Sequence, residues 1–327
     1  MAKPGSVKKS SPEDILVGGQ AVIEGVMMRT PHAYAVAVRR ADGSVTVKKE
    51  TVRRLADLWK PLTWPVIRGF SVLVQSLALG IRTLNFSFNM AVADAEPKSD
   101  AAGTGAAVSH PQESGWLPVT LTMAAAALFA IVIFILAPLY ITTWLKAYFA
   151  AVRNWFVFNA VDGLIRVVFF LAYILLISRM KDIRRVFQYH GAEHKVVHTW
   201  EAREELTVEN ARRKSTLHPR CGTSFLLFVM VVSIVVFSIF KFQAFWAIFL
   251  SRVILIPVIS GLSYELIRFS APRCKSGFFR LVVLPGLALQ RITTSEPGED
   301  QLEVAIRALQ DALALDSLKA GENQAAA

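Results

Sequence analysis

The feature that most constrains this chain is Leu117–Leu145, 29 consecutive residues without a charged side chain. As a helix rising 1.5 Å per residue, such a run is about 43 Å long. That exceeds the ~30 Å hydrocarbon core of a bilayer. Thr223–Phe240 is a second uncharged run, of 18 residues. Composition agrees: 54% of residues are hydrophobic and 19% charged, against about 25% charged in an ordinary globular chain. Disordered, collagen-like and disulfide-scaffold classes are excluded. The pattern predicts a mainly α membrane protein with four transmembrane helices, at about Leu117–Leu145, Ala160–Ser178, Thr223–Phe240 and Ala244–Tyr264. Interfacial helices and a small N-terminal cytoplasmic β-unit complete the expected fold.

Charge sets the expected orientation. Of 36 Lys and Arg, 14 precede the first span, 10 lie in 179–222 and 7 follow Glu265. Positive loops stay cytoplasmic, so both termini and the 179–222 loop are expected in the cytosol. The net charge of +11 follows from the same rule. It also suits an anionic lipid surface or ribosomal RNA, but no aromatic-interleaved motif for reading a nucleic-acid sequence is present. Cys221 and Cys274 fall on the reducing side, where a structural disulfide is not expected. Residues 1–30 lack the apolar core of a signal peptide.

Along the chain, 1–14 reads as a flexible basic tail and 15–53 as the β-unit. Gly18–Arg29 reads as one strand with Gly25 as a bulge, and Asp42-Gly43 suits a type I′ hairpin turn. In 54–90, Arg68, Gln75, Arg82 and Asn89 recur every seven residues on an otherwise apolar helix. If that helix crossed the bilayer, the basic 179–222 loop would be outside, so it is expected to lie in the interface with Trp59 and Trp64. The segment 91–116 reads as a flexible linker. Residues 117–268 form the membrane domain. Within 269–318, an apolar stretch broken at Pro285-Gly286 precedes an amphipathic helix bearing Leu302, Ile306, Leu309 and Leu313. The tail 319–327 is expected to be disordered.

Four of the six histidines lie in the 179–222 loop. His190, Glu193 and His194 form HxxEH, an inverted zinc-peptidase motif. Residues four apart share a helix face, so His190 and His194 suit one ion, and His198 continues that face. Glu193 suits the role of general base toward a bound water. His218 and Cys221 are spaced to join the same sphere, and a thiolate there favours Zn over Mg. Glu24 and Glu265 are further candidate ligands, equally suited to ion pairs with arginine. The competing readings are imidazoles hydrogen-bonded in a polar junction, or a structural metal without chemistry. Inside the spans, Arg252 is expected to pair with Asp162 near Arg166, since an unpaired charge at that depth costs ~2.5–3.5 kcal/mol.

GGQAVIEGVMMR (18–29), YHGAEHK (189–195), HPRCGTSF (218–225) and ISGLSYELIRFS (259–270) together resemble the bacterial YqhQ-like family of multi-pass membrane proteins, a domain of unknown function, over roughly 15–318. Its members are often labelled predicted metal-dependent enzymes, which implies His190, Glu193, His194, His218 and Cys221 as site residues. The resemblance also implies a non-catalytic role beside the ribosome-bound Sec translocon in membrane-protein insertion. Two functions are therefore expected in competition, a metal-dependent hydrolase and a translocon accessory factor. The expected partners are the bilayer and, for the second reading, translocon and ribosome, with no small-molecule cofactor. A transporter fits less well with four spans and no repeat pair.

Overall fold

A computed structural model describes residues 17–52, 59–95, 116–270, 273 and 277–325. The tail 1–14, most of the linker 91–116, and Cys274 lie outside the described residues. The N-terminal region forms a four-stranded antiparallel meander in sequence order: β1 (Gly18–Val22), β2 (Gly25–Arg29), β3 (Ala33–Arg39) and β4 (Val45–Thr51). Gly18–Arg29 is thus a tight hairpin rather than one bulged strand, with Val22 opposite Gly25. Glu24 takes a positive φ of 53° in its turn. Gly25 is required by close approach, because a Cβ there would lie 2.2 Å from the Ala37 carbonyl oxygen. The β3–β4 connection is also longer than a type I′ turn. It runs from Arg40 to Ser44, and among its residues Gly43 alone takes a positive φ, of 84°.

The helices are α1 (Ile67–Ala95), α2 (Trp116–Ile131), α3 (Ala137–Tyr148), α4 (Trp155–Ile177), α5 (Lys181–Glu201), α6 (Val208–Arg212), α7 (Gly222–Ile239), α8 (Phe245–Ile254), α9 (Ile256–Ser270), α10 (Gly277–Thr293) and α11 (Glu299–Ala325). Both sheet faces are covered, which is why β2 and β3 read as nearly continuous apolar runs instead of alternating. Val26, Met28, Ala35 and Ala37 face α5 and α11, packing on Tyr189, Val196, Leu302 and Leu309. Met27, Tyr34, Val36 and Val38 face the opposite way, onto Leu79, Phe86 and Met90 of α1. Lys48 and Lys49 mark β4 as an edge that resists further strand pairing. Tyr34, buried in that second layer, donates to Glu50 at 2.7 Å. Burial first, then the Glu50 bond, pushes its pKa up to about 12.

The second region is helical and apolar. A π turn, Val132–Leu136, joins α2 to α3 in one long apolar segment. Among the described residues, four helical segments, Ile67–Ala95, Leu121–Tyr148, Trp155–Ile177 and Gly222–Ile239, are each long and apolar enough to cross a membrane. The expected fourth span is broken into two helices, α8 and α9, bent by 48° at Leu255, which are long and apolar enough to cross only when taken together. Close packing here uses small residues: a Cβ on Gly163 of α4 would lie 2.2 Å from Ile234 of α7. Arg252 pairs with Asp162, as expected, at 3.3 Å. It also donates to Asn159 at 2.6 Å and lies 3.9 Å from the Phe237 ring centre. Arg166 holds the same carboxylate at 2.8 Å.

The 179–222 loop is largely helix, formed by α5 and α6, which places His190, His194 and His198 on a helix as expected. Two further expectations change. Pro285-Gly286 does not break α10, which is helical from Gly277 to Thr293. The C-terminal helix continues to Ala325, past the point where a disordered tail was expected.

Candidate metal centre

The HxxEH segment lies within α5, and Gly191 does not weaken it. A Cβ on Gly191 would fall 2.1 Å from the Ser295 carbonyl oxygen. The glycine therefore allows the 293–297 segment to lie directly on the helix, where Ser295 N–H donates to the Phe187 carbonyl at 3.0 Å. One side of α5 (Tyr189, Ala192, Val196) fills the core beneath the sheet. His190, His194 and His198 then point toward the 216–221 turn and the end of α10.

The turn is held by Gln290 of α10, which is fully buried. Its amide accepts from His218 N–H at 2.7 Å and donates to the His218 carbonyl and to Ser224 Oγ, each at 2.8 Å. This places Cys221 at the N-cap of α7, with its sulfur accepting the Thr223 N–H. Thr223 Oγ1 lies 3.1 Å from the same sulfur. The positive end of a helix dipole thus faces the sulfur, a favourable position for an anionic thiolate.

Five candidate ligands separate into two neighbouring groups. His190, His194 and Cys221 offer donor atoms within 4.8 Å of one another, and so do His198, Glu201 and His218. His198 and His218 therefore belong to a second group and not to the sphere expected for them. Glu24 and Glu265 are not ligands, since Glu24 pairs with Arg185 and Glu265 with Arg68. Glu201 was missed by the sequence reading, although its spacing of three from His198 puts it on the same helix face. Gln290 was missed too; its signal is a lone amide in an apolar helix.

Hydrogen bonding assigns the ring protons of the first group. His190 Nδ1 donates to the Thr293 carbonyl at 2.8 Å, and His194 Nδ1 to the Thr216 carbonyl at 2.5 Å. Both Nε2 lone pairs are then left toward Cys221, with His190 Nε2 at 3.3 Å from Sγ. One S–H proton can satisfy only one of the two rings. A tetrahedral Zn with ordinary bond lengths holds an N and an S ligand about 3.5 Å apart, close to this separation. Nδ1 bound to a carbonyl is also the usual support for a ligating imidazole. These three residues could hold a metal ion.

In the second group, His218 Nδ1 accepts the Arg220 N–H at 3.3 Å, which leaves Nε2–H facing Glu201 at 3.3 Å. His198 Nε2 donates to the Leu217 carbonyl at 2.9 Å. Glu201 also pairs with Arg220. These groups satisfy one another. Burial pushes the imidazoles of His194, His198 and His218 below their ordinary pKa. Glu193, buried beside His194, accepts the Gly19 N–H; burial raises its pKa against the opposing pull of His190 and His218. A Cβ on Gly19 would lie 2.8 Å from Glu193 Cγ, so the β1 glycine leaves space for this carboxylate.

The fold and site define a class: an apolar helical protein with a small covered sheet and a buried His/Cys centre between the two. The family model "Protein of unknown function (DUF1385)" matches residues 64–315. The chain is 34% identical over 301 residues to "Uncharacterized protein YqhQ" of Bacillus subtilis (strain 168), covering 92% of this chain and 93% of that one. This chain belongs to that YqhQ-like DUF1385 family. No solved structure matches it.

Proposed function

We propose that this protein is a multi-pass inner-membrane metalloprotein, with both termini in the cytosol and its metal centre at the inner membrane boundary, and that it acts as a zinc-type hydrolase. His190, His194 and Cys221 are the ligands. The observation that carries the reading is the surplus of lone pairs: two Nε2 atoms face one sulfur, with both Nδ1 protons already committed to carbonyls. A bound zinc would supply Lewis acidity and lower the pKa of a coordinated water to about 7. Three protein ligands leave a position for such a water. Glu193 is the proton acceptor, Gly19 N–H fixes its carboxylate, and Gln290 holds the Cys221 turn in register. The test is metal analysis of the detergent-purified protein. About one zinc per chain, lost in His194→Ala, supports the reading; substoichiometric metal unchanged by that substitution ends it.

A second reading rests on burial. His194 is 2% exposed and Cys221 7%, as in a closed structural site. The centre then clamps α5 to the apolar helices, and the protein serves as a non-catalytic accessory of the ribosome-bound Sec translocon. A metal-retaining Glu193→Gln variant separates the two. Loss of growth complementation favours the hydrolase, whereas full rescue with translocon and ribosomal proteins enriched by crosslinking favours the accessory role.

A further inference from the structure

The polar and apolar sides of α1 have opposite surroundings. Arg68 pairs with Glu265 of α9, and Gln75 accepts from Arg29 at 2.8 Å. Asp94 holds Arg40 Nε at 2.7 Å and the Ala41 N–H at 2.9 Å. The polar contacts of α1 therefore reach α9 at one end and the sheet along the rest. Ile67, Val74, Leu77, Leu84, Phe88 and Val92 are exposed, between 41% and 62%. At 100° per residue these six occupy an arc about 100° wide. The stripe adjoins a second one on α9, made by Val258, Leu262, Leu266 and Phe269. Gly69 and Gly261 let the two helices touch, since a Cβ on Gly69 would lie 2.9 Å from Gly261 Cα.

By length and composition α1 could cross a bilayer. Two observations oppose that path. Arg82, exposed on the surface, is the sixteenth of 29 residues and would sit at the centre of the hydrocarbon, where an unpaired charge is strongly disfavoured. In addition, contacts with the sheet run from Gln75 to Asp94, so a crossing helix would carry Arg29, Arg40 and Lys48 into the bilayer with it. We propose that α1 lies flat in the inner leaflet's interface, its apolar stripe dipping into the acyl region and its polar side carrying the sheet in water. The occupant of the exposed stripe is lipid, because the stripe is continuous with that of α9. Trp59 and Trp64, 63% and 60% exposed, extend the contact at headgroup level. The proposal rests on the multi-pass membrane reading given above.

The test is nitroxide depth measurement in liposomes. One cysteine replaces Leu77, Leu84, Phe88 or Val92 in a Cys274→Ser background that retains the buried Cys221, the unsubstituted background serving as the labelling blank and Val168 of α4 labelled as the membrane control. Oxygen and a water-soluble nickel chelate are the relaxing agents. The expected result is one shallow, oxygen-accessible depth at all four α1 positions and a deep label at position 168. A crossing helix would spread the labels over about 22 Å between positions 77 and 92, and that result overturns the proposal. Labels shielded from both agents would place protein on the stripe and also overturn it. A position 168 label exposed to nickel instead of lipid would remove the membrane reading itself, a distinguishable failure.

Discussion

The buried polar cluster among the apolar helices and the His/Cys centre differ in how their groups are satisfied. Among the apolar helices, Asp162 sits between Arg166 and Arg252, Asn159 accepts from Arg252, and Phe237 presents its ring to both guanidinium groups. Some atoms there, including Asp162 Oδ1 and both arginine Nε atoms, lack a hydrogen bond, but each charge has an opposite charge or a ring face against it. At the His/Cys centre there are lone pairs without protons. Burial alone therefore does not separate a structural cluster from a ligand site. The kind of donor does: the first cluster is built of paired charges and ties α4, α7 and α8 together, whereas the second brings together three donor atoms that could hold a metal ion.

The comparison is broken most severely by Asp162→Asn, which leaves two guanidinium groups in an apolar region without their carboxylate. A loss of about 3–5 kcal/mol is expected, read as a fall in thermal unfolding temperature in detergent. If the cluster is structural, the double replacement Asp162→Leu/Arg252→Met recovers part of that loss. Unchanged stability in Asp162→Asn would show that the pairing carries no weight. Gly191→Ala comes next. Its new methyl meets backbone, and about 1–3 kcal/mol is expected to be lost, checked by the same melt.

At the centre, Cys221→Ser is expected to lower bound zinc at least tenfold, measured by elemental analysis, and to reduce the unfolding temperature only in the zinc-loaded protein. Glu201→Gln is the smallest change. Zinc content should stay near wild type and stability should shift by less than about 1 kcal/mol, since the Glu201 side chain is 33% exposed. Loss of metal in Glu201→Gln would mean that the second group is itself a ligand set.

Much of the architecture was legible because hydrophobicity is written locally. The uncharged runs mark α2–α3 and α7, and the period-four pattern from Leu302 to Leu313 marks α11. The bend at Leu255 was not legible, since Ala244–Tyr264 is apolar on both sides of it. Nor was the Ile23-Glu24 turn, because a non-glycine residue takes the positive φ there. For the centre, HxxEH picked out His190 and His194, and the nearby HPRC segment supplied Cys221. Spacing along the chain could not show that His218 turns toward Glu201, because that depends on Gln290, 72 residues away.

The sequence by itself determined which segments are apolar, where the basic charge lies, and which residues have the chemistry to hold a metal. Those properties belong to side chains and their near neighbours. Only the tertiary structure decided which donors converge, which of them are already satisfied, and that Arg68, Gln75 and Asp94 of α1 contact the protein while its apolar stripe is exposed. Such outcomes depend on long-range packing: a ring nitrogen's partner and a helix's exposed face are set by whatever folds against them.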